Sequence, residues 1–507
     1  MSLDRAFVRA AVAAGALWFV CVFAAPAAAQ QVYDGPEWVK FACTTYPLNN
    51  KSAPRGTGKQ DPALVYDPVK FWNGEPAGKQ GSAKRPFLGY LWAEDTPTDS
   101  AAAATAISTG QKTFNNGINW SDLKAPITPT IVEAAHALGK ATGTITTVQF
   151  SHATPAGLSN AHNVSRNNYA AIALQMVYGD GGSPAKPGEV VLDVIMGCGH
   201  PNFDDNGKPA TGKAAGSPKY VGGPEAWADM GAGAGGKTSS GFTVLHTKAA
   251  FEALAKSDET AGRYLGIPEV GWTLQQHRSG AKPADEPFSR PLNANLPTLA
   301  TMTRAALNVL DGTAAKPNKA GFFLHVEGGA VDWANHSNLL GRAVEEMIDY
   351  NKAVRAVCDY LDANTAGNNW SNTLVILTAD HDCGLLLGPN ADKVAYDKLV
   401  NNGKGKLPGA KYMWGSHSNS LVPVYARGPG SGLFAGLVDG KDDRMVSRYG
   451  LRQGFDGRYV DDTDIHAVMS RAIAPGGGAK NVILMIADGA GFNTWTAATM
   501  YEFGLPK

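Results

Sequence analysis

The sequence predicts an α/β fold, a mostly parallel central sheet flanked by helices on both faces, with loop insertions. Two observations predict it. Short apolar runs at 144–150, 190–196, 321–326, 373–378, 422–426 and 482–486 are continuous, without the alternation of a half-solvated strand. Between them lie longer stretches of helical periodicity, the arrangement that builds a covered, mainly parallel sheet.

The helices follow in order. Ser100 opens an alanine-rich helix. The next spans 129–138, with Thr128 as N-cap and Pro129 at the first helical position. Others span 168–177, 296–310, 343–361 and 464–473. Two Gly-rich regions, 199–241 and 384–415, read as insertions or loops, and 475–479 as a flexible Gly-rich joint.

The chain has 507 residues, enough for a large core. Its 45 basic and 45 acidic residues cancel, so no nucleic-acid-binding surface is expected. At the N-terminus, Arg5 and Arg9 precede an apolar stretch over 10–25, and Ala27, Ala28 and Ala29 form a small-residue cleavage site. This predicts a signal peptide over 1–29 and export to the periplasm or the extracellular space. No membrane anchor would remain after cleavage. Residues 30–474 would form the main part of one catalytic domain, joined through 475–479 to a strand–helix segment, 480–507, that completes it. Cys43, Cys198, Cys358 and Cys383 remain after cleavage. They are either buried thiols or up to two disulfides, and their spacing matches no zinc knuckle. Cys383, two residues after His381, reads as a bystander near a metal site.

The chemistry gathers where apolar runs end. The segment 321–336, GFFLHVEGGAVDWANH, carries an apolar run into Glu327, Asp332 and His336. TLVILTADHDC (373–383) delivers Asp380 and His381, and NVILMIADGAG (481–491) delivers Asp488 into a Gly-rich turn. His417 lies in GSHSNSLVPVYARGPG, just before a strand. His152, Thr154 and Arg166 lie in TVQFSHATPAGLSNAHNVSR. Ser100, in TPTDSAAAATAISTG (96–110), sits at a helix start, where N–H groups and the helix dipole suit an anion. Each residue taken singly reads as a cap, a turn former or a satisfied polar group. Together, four carboxylates and four histidines near strand ends suit two zinc ions (Zn2+) at mixed N/O sites and one oxygen-bound magnesium ion (Mg2+).

These motifs resemble those of the alkaline phosphatases across most of the mature chain. The stretch DSAAAATAISTG and the spacing of Glu327, Asp332 and His336 are the most specific. The resemblance implies a phosphomonoesterase that releases inorganic phosphate through a phosphoserine intermediate on Ser100. It implies that Asp332, His336 and His417 bind the first zinc. Asp380, His381 and Asp488 would bind the second, and Asp488, Thr154 and Glu327 the magnesium. Arg166 would clamp phosphate, with His152 beside the magnesium. Substrates would be small phosphate monoesters, and a homodimer is favoured. Trp333 departs from the Lys or His often found after that Asp. It cannot supply positive charge, so altered phosphate release or magnesium dependence is expected.

Motif order departs as well. NVILMIADGAG, first in that family, comes last here, after DDTDIHAVMSRAIA. This reads as a circular permutation of the mature domain, whether natural or engineered, or as mis-ordering of a conventional sequence. In each case the 482–486 strand is expected in the centre of the sheet. A sulfatase is disfavoured because Ser100 lacks a C/S-X-P-X-R setting. A phosphodiesterase is disfavoured by the third set of metal ligands, Thr154 and Glu327. A metal- or phosphate-binding protein without turnover is the non-enzymatic alternative.

Overall fold

The apolar runs assemble into one eleven-stranded sheet. Its strands are β1 (Val39–Thr44), β2 (Ala141–Gln149), β3 (Val194–Cys198), β4 (Phe242–Leu245), β5 (Arg263–Gly266), β6 (Phe322–Glu327), β7 (Thr373–Thr378), β8 (Val422–Arg427), β9 (Gly440–Lys441), β10 (Arg458–Asp461) and β11 (Asn481–Ile486). The computed structural model describes residues 30–505 except 213–214, 232–235, 258–259, 317–319 and 450–453. The expected signal peptide, 1–29, lies outside the described residues.

The strand order is β9-β10-β1-β8-β7-β11-β6-β2-β3-β5-β4. Strand β11 docks centrally, as expected, parallel to both β6 and β7. Every residue of β2, β3, β6, β7 and β11 is buried, which is why these runs show no period of two. The sheet is mostly parallel, but β8 runs antiparallel to β1 and β7, and β9 antiparallel to β10. Five strands were not expected from the sequence: β1, β4, β5, β9 and β10. Strands β4 and β5 have four residues each at one edge, and β9 has two at the other. Such runs are too short to carry a periodic signal.

Two groups of helices cover the sheet. In one, α3 (Leu299–Ala314), α4 (Leu340–Asp362) and α6 (Phe492–Phe503) pack together through α4; in the other, α1 (Ser100–Thr109) and α2 (Ile131–Ala137) pack on α5 (Asp462–Ile473). Helix α2 starts later than expected. Its cap is Thr130, not Thr128: Glu133 N donates to Thr130 Oγ1 at 3.1 Å, and Thr130 N donates to the Glu133 carboxylate at 2.8 Å. This reciprocal pair satisfies two free N–H groups at the helix start and leaves Pro129 outside the helix. Helix α3 likewise starts late, where Thr298 accepts from Thr301 N.

The joint at 475–479 is a closed turn. Gly477 N donates to Ala474 O at 2.8 Å, and Ala479 N to Ala472 O at 3.1 Å. A Cβ at Gly477 would stand 2.0 Å from Arg471 O, so the turn requires glycine there. The turn carries the chain from α5 directly into β11. Beyond β11, helix α6 returns to the other end of the described chain, where Gln31 Nε2 donates to Glu502 Oε2 at 2.6 Å. Cys43, Cys198, Cys358 and Cys383 are all free and buried, so the disulfide alternative falls. They sit on separate elements: β1, β3, α4 and the loop after β7. Among the described residues no helix is long and apolar enough to cross a membrane.

Leu484 is fully buried at the middle of β11. Leu484→Ala is expected to destabilise the protein by about 2–5 kcal/mol, because the two flanking strands cannot collapse into the space. Equilibrium urea unfolding of both proteins measures this; a difference well under 1 kcal/mol would mean that β11 is not integral to the core.

Candidate active site

Parallel register brings the acidic strand ends together. Ile486 of β11 stands level with Glu327 of β6 and with Thr378 of β7. Asp488, Glu327 and Asp380 therefore emerge side by side at the carboxyl edge of the sheet, where ligands of such folds bind. After Glu327, a short helix, Ala330–His336, sets Asp332 and His336 one turn apart, with His336 Nε2 3.4 Å from Asp332 Oδ2. His417 comes from a two-stranded ribbon in which it lies opposite Cys383. Its Nε2 is 3.5 Å from Asp332 Oδ1. His381 Nε2 lies 3.4 Å from Asp380 Oδ2 and 3.6 Å from Asp488 Oδ1.

The turn after β11 is built for close approach. Gly489 has φ +67°, and a Cβ there would stand 2.6 Å from Asp332 Oδ1. Gly489 N donates to Asp380 Oδ1, and Gly489 O accepts from Asn335 Nδ2 at 2.9 Å. Asn335 was not singled out from the sequence. Tyr412 Oη donates to its other amide atom at 2.7 Å, so Asn335 ties this turn to the Asp332 helix.

Ser100 is the first residue of α1, but the cap is Asp99, whose carboxylate accepts from Ala102 N at 2.9 Å. The Ser100 hydroxyl is thus not needed as a cap, and Oγ lies 3.1 Å from His381 Nε2. Asp99 also holds Arg166, with Nη1 to Oδ2 at 3.0 Å. Ser100, Arg166, Asp332, His336 and His417 line one cavity of about 600 Å3. His152 is buried at its edge, with Trp333 packed edge-on to its ring at 5.5 Å. Burial and then the neighbouring Arg166 lower the His152 pKa to about 3, so this ring is neutral.

Two features of this cluster call for cations. His336 Nδ1 faces Gly415 O at 2.9 Å, and His417 Nδ1 faces Thr98 O at 2.8 Å. Those carbonyls keep the protons on Nδ1, which turns two Nε2 lone pairs towards each other at 3.1 Å. Of the four carboxylates only Asp332 is compensated: against burial, His336, His417 and His381 hold its carboxyl at about 2. Asp488 Oδ1 and Oδ2, Asp380 Oδ2, Asp332 Oδ1, Glu327 Oε1 and Thr154 Oγ1 are buried with no hydrogen-bond partner. Burial raises Asp488 well above the usual range, with Asp380, Asp332 and Glu327 adding to it. Burial likewise lifts Glu327 to about 8 and Asp380 to about 6. A native core does not leave this many acceptors unpaired unless a cation takes them. The donor set fits divalent metals. Asp332, His336, Cys383 and His417 offer atoms within 4.8 Å of one another, as do Asp332, His381 and Asp488. Asp332 lies in both groups. Thr154 and Asp488 stand against Glu327. Cys383, read as a bystander, has its thiol facing Asp332.

Fold and site together define an α/β protein with a multi-carboxylate cluster suited to metal ions beside a serine. A family model described as alkaline phosphatase matches residues 91–407, and the chain belongs to that family. It is a phosphomonoesterase. Streptomycin-6-phosphate phosphatase of Streptomyces griseus is 30% identical over 377 residues, covering 68% of this chain and 75% of the relative. Alkaline phosphatase of Escherichia coli is 29% identical over 365 residues, covering 69% and 72%. Alkaline phosphatase 4 of Bacillus subtilis is 28% identical over 406 residues, covering 69% and 75%. The Thermus thermophilus alkaline phosphatase structure matches with a TM-score of 0.51 at 20% identity, covering 91% of this chain and 86% of that one. A cold-active Shewanella enzyme matches with a TM-score of 0.50 at 21% identity, covering 86% and 98%. These two likenesses concern the fold. The family match ends at 407, before His417 and Asp488, which the tertiary structure brings back to the cluster.

The raised carboxylates give a pH test. In metal-free protein the folded state holds protons, such as that on Glu327 up to about pH 8, that the unfolded chain has already released. Stability therefore falls as pH rises. Between pH 7.5 and 8.5 the unfolded histidines have also released nearly all their protons, so the imidazoles that burial keeps neutral in the folded state barely oppose it. The melting temperature of chelator-treated protein is expected to fall across this window, and the gain on adding zinc and magnesium to widen. Calorimetry at both pH values checks this; a gain independent of pH would contradict the assignment.

Proposed function

We propose that the protein hydrolyses phosphate monoesters in two steps through a phosphoserine on Ser100, using two zinc ions and one magnesium ion. The observation that carries this reading is Ser100 Oγ, released from capping and set 3.1 Å from His381 Nε2 beside buried, unpartnered carboxylates. Asp332, His336 and His417, a nitrogen-rich set, would hold the first zinc. Asp380, His381 and Asp488 would hold the second. Glu327, Thr154 and Asp488 offer only oxygen, which suits magnesium. When bound, the metals supply positive charge and Lewis acidity that favour the ionised Ser100 and offset charge on the phosphoryl oxygens.

The chain's own part is positioning. Ser100 Oγ attacks phosphorus as the ester P–O bond opposite it breaks and the alkoxide leaves. Water then attacks the phosphoserine, the Oγ–P bond breaks, and inorganic phosphate departs with Ser100 restored. Arg166 can engage two phosphoryl oxygens with its planar fork, and its ion pair with Asp99 fixes that fork at the cavity wall. The N-terminus of α1 favours the anion beside Ser100. His152 and Trp333 bring no positive charge to the magnesium side.

Export belongs to the same reading and rests on residues 1–29, with cleavage before Gln30. So does the relocated segment 480–507. Docking of β11 between β6 and β7 and the bond from Gln31 to Glu502 support its treatment as part of one domain.

Hydrolysis of a chromogenic aryl phosphate at alkaline pH, with zinc and magnesium, tests the reading. Ser100→Ala and Asp488→Ala are each expected to lose about 10³-fold or more in kcat/KM. Arg166→Ala is expected to lose less, about 10- to 100-fold, because the metals carry most of the charge stabilisation. Acid quenching after incubation with labelled phosphate should leave label on Ser100. A folded, zinc-loaded parent without turnover would point instead to a phosphate-binding protein.

A further inference from the structure

The cavity is larger than a phosphoryl group needs. Its volume of about 600 Å3 lies in the range of pockets that enclose whole organic ligands. One end is polar and holds Ser100 and Arg166. The other is walled by Trp272, Trp333 and His277. Trp272 and His277 stack with planes 7° apart and centroids at 5.3 Å. Trp333 stands edge-on to both, at 5.8 and 5.9 Å. Trp272 is 37% exposed; among the described large hydrophobic residues, it and Phe288 are the only aromatics so exposed.

This wall is held in place before any ligand arrives. Asp205 accepts from Trp272 N at 3.1 Å with one carboxylate oxygen and contacts His277 Nδ1 at 2.9 Å with the other. Trp333 directly follows Asp332, so its ring is tied to the metal cluster by one peptide bond. A rigid aromatic wall therefore begins at the phosphoryl end and runs towards solvent, where the leaving group of a bound monoester must lie.

We infer that Trp272, Trp333 and His277 form a leaving-group subsite for planar aromatic groups, and that the enzyme favours aryl or nucleoside monophosphates over alkyl ones. The inference deepens the phosphomonoesterase reading and rests on it. Stacking on a fixed ring adds to simple burial, and the open Trp272 indole offers that surface.

The test uses the full metal-loaded chain and non-hydrolysable phosphonates as competitive inhibitors: methylphosphonate, benzylphosphonate and a 5′-phosphonate analogue of adenosine monophosphate. Inhibition by inorganic phosphate, measured alongside, reports on the phosphoryl site itself, so loss of the phosphatase reading is seen separately. The parent is expected to bind the aromatic phosphonates about three- to ten-fold more tightly than methylphosphonate, with quenching of indole fluorescence. Trp272→Ala should bring that ratio close to one, and Trp272→Phe should restore most of it at an equal melting temperature. A parent ratio near one, or a ratio unchanged in Trp272→Ala, would overturn the inference.

Discussion

Four carboxylates, Glu327, Asp332, Asp380 and Asp488, are buried within one small volume without a lysine or arginine among their hydrogen-bond partners. That concentration of negative charge is the constraint on which the rest of the site depends. In a low-dielectric interior like charges so close cannot all remain ionised, and the raised Asp488, Glu327 and Asp380 express this. Divalent cations resolve the conflict. On the proposed mechanism the same cations make Ser100 and Arg166 useful, because a phosphoryl dianion would be repelled by the bare cluster.

The sheet makes this arrangement rigid. Strands β7, β11 and β6 are adjacent and parallel, so their carboxyl ends present acidic groups at one level. Glycines 489 and 491 let the turn after β11 pass against Asp332 and Asp382, where any Cβ would collide. Asn335 and the Asp99–Arg166 pair then hold the surrounding pieces. None of these groups acts alone: Asp99 caps α1, frees the Ser100 hydroxyl and fixes Arg166 with a single carboxylate. The aromatic wall extends the same economy outward, since Trp333 shares a short helix with Asp332.

Much of this was legible in the chain. Continuous apolar runs ending in Glu327, Asp380 and Asp488 signalled buried strands with polar tips, and each became one. The helix starts were less legible. Thr128 before Pro129 has the look of a cap, yet Thr130 wins because Glu133 can return the hydrogen bond. The short strands β4, β5 and β9 gave no signal, being too short for any period to register. Cys383 looked incidental because its place beside Asp332 depends on lying opposite His417 across a ribbon. Trp272 and His277 lie in a loop-rich stretch with no motif, and only their packing on Trp333 makes them a wall.

Local chemistry in the sequence determined which residues could be strands, which helices could start where, and which side chains could bind metal or attack phosphorus. Those properties depend on neighbours a few positions away. The sequence could not by itself determine which strand ends meet. A fully buried strand has no alternating pattern to encode its partner or register, so order in the chain says little about order in the sheet. Tertiary packing decided that β11 lies between β6 and β7, level with both. That register, set by hydrogen bonds between segments more than one hundred residues apart, converts separated acidic residues into a single site.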